Sequence, residues 1–372
     1  MNQLQQIIKL VSILLAMMFF APQVDAGSDT KRVLMVLSGY GQEQGKLTPG
    51  YEFDEFSKAY QIFSDNYISI DIASPQGGKV VADEYDPQKP YNAAVLADKG
   101  AMAKLDNTIA TGDVNAKDYQ GIFIVGGKGA MFDLPKDAAL QQLIKEIYQQ
   151  QGGVAAVCHG PAALVNVKLD NGRYLVADKA INGFTNQEER LFGKKWVNDF
   201  EFMLEDKLQQ RGGKFQSSPL MLSHVAVDGQ LITGQNPTST VAVATELVKQ
   251  LGLTPVESEQ YDEDVTMTLI AQYLAGNDEA LAQVAAMPEQ LPLVGMYGFY
   301  YNKVAEQPQQ QQHALTLMRA AQQALNNPVL DMQIAKTQHK LGLEQEAKAT
   351  LTQLLSAKPD YQPALDMLKT NY

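Results

Sequence analysis

The 372-residue sequence predicts an α/β domain with a mostly parallel sheet, followed by an all-helical domain. Short apolar segments alternate with amphipathic helical segments up to about residue 252, an order typical of a parallel sheet covered by helices. After residue 260 the strand pattern disappears, and the sequence is rich in Ala, Leu and Gln. We therefore assign 27–252 to the first domain and 253–372 to the second.

The α/β prediction depends on the segments of the first domain. Continuous apolar runs, typical of strands buried on both faces, cover residues 33–37, 122–125 and 154–157, and segment 68–72 predicts a further strand. Apolar residues at helical spacing cover 52–64, 137–150 and 238–251. The polar stretch 79–118 predicts an excursion with short helices. Segment 225–233 predicts further strand with a turn at Asp228-Gly229.

The second domain has the spacing of a tetratricopeptide-type helix pair between Leu330 and Tyr361. The matching positions are Ala335, Gly342, Ala347, Leu351 and Pro359. A plain helical bundle is the alternative, and the Gln-rich segment 307–312 predicts a polar linker or loop. Modules of this type usually bind proteins and do no chemistry, so a protein partner is expected here.

Residues 1–26 predict a secretory signal peptide. Lys9 precedes an apolar run from Leu10 to Phe20, and segment 24–26 places small residues where a signal peptidase cleaves. The run is about half as long as a stable membrane-spanning helix. We therefore expect a protein that is periplasmic or secreted, with an uncleaved membrane anchor as the alternative.

The composition excludes several classes of function. A net charge of −12 argues against a nucleic-acid partner, because phosphate groups would be repelled. Four histidines and one cysteine do not give the spacing of a metal site. The glycine-rich segment lacks the phosphate-loop pattern. Neither a metal nor another cofactor is expected.

Cys158 is the only cysteine, so an intramolecular disulfide is impossible. It follows the strand 154–157 and precedes Pro161, which suits the first turn of a helix. Ala156 and Gly160 are small enough for a sharp strand-to-helix turn that exposes a nucleophile. The positive end of the helix would favour the thiolate. We predict that Cys158 is a nucleophile, and the alternative is a buried structural cysteine.

His159 and two glycines complete the predicted reaction site. His159 could accept the thiol proton or pass one to a substrate; the alternative is a histidine that caps the helix. Gly126 and Gly127 follow the strand 122–125, and the carboxyl ends of parallel strands meet at one edge. The N–H groups of these glycines and of His159 are candidates for binding a developing oxyanion.

Four ordered segments resemble the ThiJ/PfpI superfamily, and more narrowly its glyoxalase III-like branch, whose members are also described as heat-shock chaperones. The segments are 126–133, 158–161, 182–189 and 233–237. The resemblance spans about residues 31–252. It implies a class I glutamine amidotransferase-like fold, which is a flavodoxin-like three-layer sandwich. Family members often form dimers, so a homodimer is also expected.

The resemblance also implies a carboxylic acid on the first helix, hydrogen-bonded to the cysteine sulfur. Glu55, five residues after Gly50, has the expected spacing, although Glu52 and Asp54 are neighbouring candidates. A protonated carboxyl beside the thiolate, or one that moves protons on substrate carbon, would be its role.

A second implied acid orients the histidine, and it falls at the start of the helix after segment 182–184. Glu188 is preferred over Glu189 for this role. Lys128 departs from the family pattern, because the branch commonly has histidine there. Its positive charge would lower the thiol pKa or favour anionic substrates.

The function that the resemblance implies is a glyoxalase III reaction on a small 2-oxoaldehyde. Cys158 would add to methylglyoxal as a hemithioacetal, Glu55 and His159 would move protons, and hydrolysis would release lactate. One alternative is a cysteine amidase or peptidase at the same turn. Another is a periplasmic chaperone or adaptor whose helical domain recruits a partner.

Overall fold

Nine strands are present in the computed structural model, which describes residues 30–372. In chain order they are β1 (Arg32–Val36), β2 (Ser69–Ser74), β3 (Ile109–Ala110), β4 (Gly121–Ile124), β5 (Gly153–Val157), β6 (Ala180–Ile181), β7 (Lys214–Phe215), β8 (Val225–Asp228) and β9 (Leu231–Gly234). Seven form one sheet in the order β3-β2-β1-β4-β5-β9-β8, and β6 pairs separately with β7. The predicted signal peptide, 1–26, lies outside the described residues.

The large sheet is parallel except where β8 meets β9. Val36 lies beside Ile124, Ile124 beside Ala156, and Val157 beside Gly234. The carboxyl ends of β1, β4, β5 and β9 therefore meet at one edge of the sheet, where reactive groups gather in such folds.

Seven α-helices accompany the strands. They are α1 (Phe53–Asp65), α2 (Pro90–Ala97), α3 (Lys99–Asp106), α4 (Ala138–Gln149), α5 (Asn186–Phe192), α6 (Leu204–Gln210) and α7 (Thr240–Gln250). Both α4 and α7 contact β5, and every residue of β5 is buried. A strand covered in this way must be apolar along its whole length, which explains the continuous apolar runs in the sequence.

Seven further helices follow the α/β region. They are α8 (Asp262–Leu274), α9 (Asp278–Ala285), α10 (Leu291–Val304), α11 (Pro308–Leu325), α12 (Pro328–Lys340), α13 (Glu344–Ala357) and α14 (Gln362–Asn371). Helices α12 and α13 pack together where the repeat-type pair is predicted. Its assignment to the tetratricopeptide type stays a prediction.

The predicted fold class, a mostly parallel α/β sheet followed by a helical region, is confirmed. The polar excursion contains α2 and α3 as predicted, and it also contains β3, which the sequence pattern missed. None of the helices within residues 30–372 has the length and apolar character needed to cross a membrane.

The prediction of a linker at 307–312 is wrong, because these residues begin α11. Pro308 occupies the first turn, where its missing N–H costs nothing. Gln307 and Gln310 cap each other reciprocally. Gln311 is buried and donates to the carbonyl of Ala305 at 3.2 Å. Capping and burial therefore override the polar composition.

Candidate active site

The cysteine lies on a strained turn directly after β5. Cys158 has φ +59°, a conformation that is uncommon for a residue with a side chain. A Cβ on Gly160 would lie 2.4 Å from the carbonyl oxygen of Ile124, so only glycine fits there. The helix beyond the turn is a five-residue 3-10 helix, Gly160–Leu164. It is shorter than the helix expected from the sequence, and its dipole is correspondingly small.

Cys158, His159 and Glu189 form a hydrogen-bonded chain. The Cys158 sulfur lies 3.3 Å from Nδ1 of His159, and Nε2 of His159 lies 2.7 Å from Oε2 of Glu189. An ionised carboxylate can only accept a hydrogen bond, so Nε2 of His159 carries the ring proton and donates a hydrogen bond to Glu189. Nδ1 is then unprotonated, and its lone pair faces the thiol. The imidazole is thereby set up as the base for the thiol proton.

The preference for Glu188 as the orienting acid is wrong, because Glu189 has that position. Oε2 of Glu188 accepts from the N–H and hydroxyl of Thr185, which caps the helix. Oε1 accepts from the Met221 N–H and the Asn236 amide at 2.9 and 2.8 Å. Adjacent helix positions point about 100° apart, so only one of the two carboxylates can reach His159.

Glu55 also lies beside the sulfur and interacts with it directly. It is fully buried on α1, and its Oε2 accepts from the Gly126 N–H at 2.7 Å. Burial raises the pKa of Glu55 well above its usual range, and the negative charge of Glu52 adds to the rise. Oε1 lacks a hydrogen-bond partner within the described chain. A protonated carboxyl would use this oxygen to donate to the sulfur, with which Glu55 interacts directly.

The expectation of a lowered thiol pKa is wrong. Burial raises the pKa of Cys158 well above its usual value, and negative charge on Glu55 raises it further. A hydrogen bond with Gly127 N–H opposes the rise. One proton on Glu55 removes the adjacent charge, so the ionised sulfur is best tolerated when Glu55 is neutral.

The two glycines lie where the sequence analysis places them. A Cβ on Gly126 would lie 2.8 Å from Cβ of Cys158 and 2.7 Å from Oε2 of Glu55. Gly127 has φ +92°, which favours glycine. In the loops and turns of residues 30–372, neither the Gly127 nor the His159 N–H donates to a carbonyl. The His159 N–H is therefore free to bind a substrate oxygen, and the Gly127 N–H would exchange its hydrogen bond with the Cys158 sulfur for one with that oxygen.

Two charged residues at the rim of the site are coupled to each other. Glu52 and Lys128 line the same pocket as Cys158. Burial raises the pKa of Glu52 to about 7, with Lys128 acting in the opposite direction. Lys128 thus lowers the pKa of Glu52. Glu52, which the sequence analysis names as a candidate for the acid on the first helix, is an additional titrating acid in the pocket.

A pocket of about 410 Å³ leads to the sulfur. Its apolar walls include Phe184, Phe192 and Met221 from the α/β region, and Met296 and Tyr300 from α10. The contribution of α10 was missed, because residues this far apart in the chain meet only through the tertiary fold. In the described part of the chain, acidic, histidine and cysteine residues do not form a cluster suited to a metal ion.

The sequence and the fold match known proteins over the α/β region. A profile of the DJ-1/PfpI family matches residues 46–250. The glutathione-independent glyoxalase hsp3102 of Schizosaccharomyces pombe is 30% identical, and the match covers 59% of this chain and 98% of that protein. The glutathione-independent glyoxalase HSP31 of Saccharomyces cerevisiae is 32% identical over the same shares of the two chains.

Solved structures agree with the fold. The Rapid Encystment Protein 24 kDa of Francisella tularensis is 35% identical, with a TM-score of 0.56, covering 60% of this chain and 99% of its own. Glyoxalase III of Candida albicans is 24% identical, with a TM-score of 0.55, covering 59% and 97%. At 24% identity, the similarity to the Candida albicans protein shows a shared fold alone.

Proposed function

Because the chain belongs to the DJ-1/PfpI family, we propose that it is a glutathione-independent glyoxalase that converts methylglyoxal to lactate. The observation that carries this proposal is the arrangement around one sulfur. Both the imidazole of His159 and the carboxyl of Glu55 interact with the sulfur of Cys158. Curated relatives named as glutathione-independent glyoxalases, at 30–32% identity, support it.

In the first step the sulfur adds to the aldehyde. His159 Nδ1 takes the thiol proton, and the thiolate forms a C–S bond at the aldehyde carbon. The carbonyl electrons move to oxygen, which is held by the N–H groups of Gly127 and His159. Glu55 donates its proton to this oxygen, which gives a hemithioacetal and leaves Glu55 ionised.

In the second step a hydrogen moves between the two adjacent carbons. Ionised Glu55 removes the proton of the carbon bonded to sulfur, and the histidinium protonates the neighbouring oxygen to give an enediol. Glu55 then returns the proton to the second carbon, while His159 takes the hydroxyl proton from the first. The product is a thioester of lactate on Cys158.

Water completes the reaction. It attacks the thioester carbon while ionised Glu55 takes one of its protons, the C–S bond breaks, and the sulfur leaves as thiolate beside the histidinium. The product acid loses its remaining acidic proton to solvent and leaves as lactate. The balance is methylglyoxal plus water to lactate plus one proton. This internal rearrangement uses no oxidant, reductant or glutathione.

The test is lactate formation from methylglyoxal by the purified protein in a buffer without glutathione. We expect turnover, and a loss of about 10²–10⁴-fold in Glu55→Gln, because that variant lacks the acid–base group. Cys158→Ala removes the nucleophile and should abolish turnover. Undiminished activity in Cys158→Ala would refute the mechanism, and cleavage of amides without action on methylglyoxal would favour an amidase.

We also propose that the protein acts after export, in the periplasm or outside the cell. The support is the charged, apolar and small-residue pattern of residues 1–26. N-terminal sequencing of the protein isolated from its native cells should give a chain that begins at Gly27. Recovery of the uncleaved chain from the membrane fraction would favour an anchor instead.

A further inference from the structure

Helix α10 of the all-helical region forms one wall of the pocket that leads to Cys158. Met296 and Tyr300 lie one turn apart on this helix and both line the pocket. Residues one turn apart lie on the same face of a helix, so one face of α10 borders the pocket that contains the reactive sulfur. Both residues lie beyond the segment 46–250 that the family profile matches.

Contacts with α5 hold this wall in place. The ring of Tyr300 packs edge-to-face on Phe192, with ring centroids 4.8 Å apart. Phe192 lies three residues after Glu189, on the helix that orients the imidazole. Tyr297, between the two wall residues, is fully buried and close enough to Glu188 for that carboxylate to raise its pKa further, beyond the effect of burial.

The loop that precedes β8 provides a second attachment. Leu222 belongs to the same buried cluster as Val294 and Tyr297 of α10. The neighbouring Met221 lines the pocket and its N–H donates to Glu188. Helix α10, which forms the pocket wall, is therefore packed firmly against the residues that position the catalytic groups.

The pocket is larger than methylglyoxal needs. The five non-hydrogen atoms of that aldehyde occupy on the order of 150 Å³ if each takes the ~30 Å³ of a water molecule in the liquid. The pocket holds about 410 Å³. The remaining space is bordered by the rings of Phe192 and Tyr300 and the thioether of Met296, which suit an apolar or aromatic group.

We infer that Met296 and Tyr300 determine specificity for a 2-oxoaldehyde that carries an aromatic substituent. The inference rests on the proposed glyoxalase function, because the aldehyde must reach Cys158 while its substituent lies against α10. The aromatic ring would pack against Tyr300 and Met296, and the aldehyde carbon would face the sulfur. Binding energy from the non-reacting ring then favours the larger substrate.

The experiment compares kcat/KM for phenylglyoxal and methylglyoxal in the unsubstituted protein and in the variants Tyr300→Ala and Met296→Ala. The two aldehydes differ in intrinsic reactivity, so the deciding quantity is the change in their ratio. We expect this ratio to fall about tenfold in each variant, as for loss of one apolar contact surface. Tyr300→Phe should retain it, because the ring and not the hydroxyl forms the wall.

Leu365→Ala is the matched control, because its side chain is 39% exposed on α14 and that of Met296 is 41% exposed on α10. The ratio should be unchanged in this control. An unchanged ratio in both Tyr300→Ala and Met296→Ala would overturn the inference and leave the glyoxalase function intact.

A second readout does not depend on turnover. Mandelate and lactate, the hydroxy acids corresponding to the two aldehydes, are tested for protection of Cys158 against iodoacetamide by mass spectrometry. Mandelate should protect at about tenfold lower concentration, and Tyr300→Ala should remove the difference. If mandelate protects better but neither aldehyde is turned over, the glyoxalase function is refuted and the role of Met296 and Tyr300 in specificity is supported. Equal protection by both acids would contradict that role.

Discussion

At the scale of single residues, two adjacent glutamates have separate tasks. Glu188 is fully buried and accepts hydrogen bonds from Thr185, Met221 and Asn236, which joins α5 to two loops. Glu189 contacts the imidazole. Glu188 therefore stabilises the fold of the site, and Glu189 determines which ring nitrogen of His159 carries the proton.

We expect Glu189→Gln to lower kcat by about 10²–10⁴-fold with little change in Tm. An amide can donate to Nε2 and impose the wrong tautomer on His159, as the loss of the acid does in serine protease triads. Glu188→Gln is the contrasting variant. In this variant the amide NH₂ group faces hydrogen-bond donors that the carboxylate accepted from. The buried donors lose an acceptor, which should lower the free energy of unfolding by about 2 kcal/mol or more. Steady-state kinetics and thermal unfolding of both variants test this division, and reversed effects would contradict it.

The titration of Glu52 gives a prediction about pH. Burial raises the pKa of this acid from 4.5 to about 7 in the folded protein. The folded state thus keeps a proton that the unfolded chain loses, and stability from this group is present below pH 4.5 and lost as pH rises through 7. The difference is on the order of 3 kcal/mol at ~1.4 kcal/mol per pKa unit.

Urea unfolding at pH 5 and pH 7.5 measures this effect. The unsubstituted protein should lose stability between the two values, and Glu52→Gln should lose less, because it carries no titrating group. Glu43→Gln is the control, since Glu43 is an exposed acid of the preceding loop. An identical pH dependence in the unsubstituted protein and Glu52→Gln would contradict the assigned titration.

The turn sequence itself pointed to Cys158 and His159, whereas Glu55 was predicted through the resemblance to the ThiJ/PfpI superfamily, with spacing choosing it over its neighbours. The turn at Cys158 requires small neighbours, and Gly160 does lie against a backbone oxygen. Spacing could not choose between Glu188 and Glu189, because the rotation of α5 about its axis depends on tertiary contacts. It also could not give the sign of the thiol pKa shift, which burial decides and the sequence does not state.

At the scale of elements, buried strands were easier to predict than polar segments. Strand β5 is apolar throughout because both faces are covered. Strands β3, β6 and β7 have two residues each, too few to show any period. The Gln-rich start of α11 was taken as a linker because composition does not reveal capping.

A half-buried ion cluster joins α1 to α8. The ammonium of Lys58 lies 2.7 Å from Glu263 and 2.8 Å from Asp264, and the Tyr91 hydroxyl donates to Glu263 at 2.7 Å. Burial alone would raise the pKa of Glu263, but Lys58, together with Tyr91 and Lys89, outweighs burial and lowers it to about 2. Helix α1 also carries Glu55, so this cluster ties the helical region to the element that positions the catalytic acid.

We expect Lys58→Met to destabilise the protein by about 1–3 kcal/mol, because two half-buried carboxylates lose a cation and only Glu263 keeps a second one, Lys89. Lys79→Met is the matched control. Lys79 pairs with Asp106 at 2.8 Å, but its side chain is 70% exposed, so its loss should cost less than about 1 kcal/mol. Urea unfolding at pH 7 compares the two variants, and equal costs would contradict the role of the cluster.

Glu263 of this cluster has a dependence on pH with the opposite sign to that of Glu52. Its pKa is lowered in the folded state, so its contribution is present above pH 4.5 and is lost as pH falls towards 2. Acid unfolding of the unsubstituted protein should therefore include a loss over this range that is smaller in Lys58→Met, where Tyr91 and Lys89 still lower this pKa. Acid titration followed by circular dichroism measures both.

At the scale of the whole molecule, the helical region meets the α/β region at two separate places. One is the Lys58 cluster, with the nearby hydrogen bond from the Tyr261 hydroxyl to Gln61 at 2.8 Å. The other is the pocket wall, where α10 packs on Phe192 and Leu222. Two attachments, one on α1 and the other on α5 and the loop before β8, restrict rocking of one region against the other, which keeps the pocket at a fixed size.

Such attachment predicts that the two regions unfold together. Trp196 is the only tryptophan and lies in the α/β region, so its fluorescence reports on that region, while circular dichroism at 222 nm is dominated by the helices. Urea transitions from the two signals should coincide in the unsubstituted protein. In Lys58→Met they should separate, because one attachment is lost, whereas Lys79→Met should keep them together. Separate midpoints in the unsubstituted protein would mean that the contacts between the two regions are too weak to make them unfold together. Helix α10 would then be a mobile wall, and its position would not fix the size of the pocket.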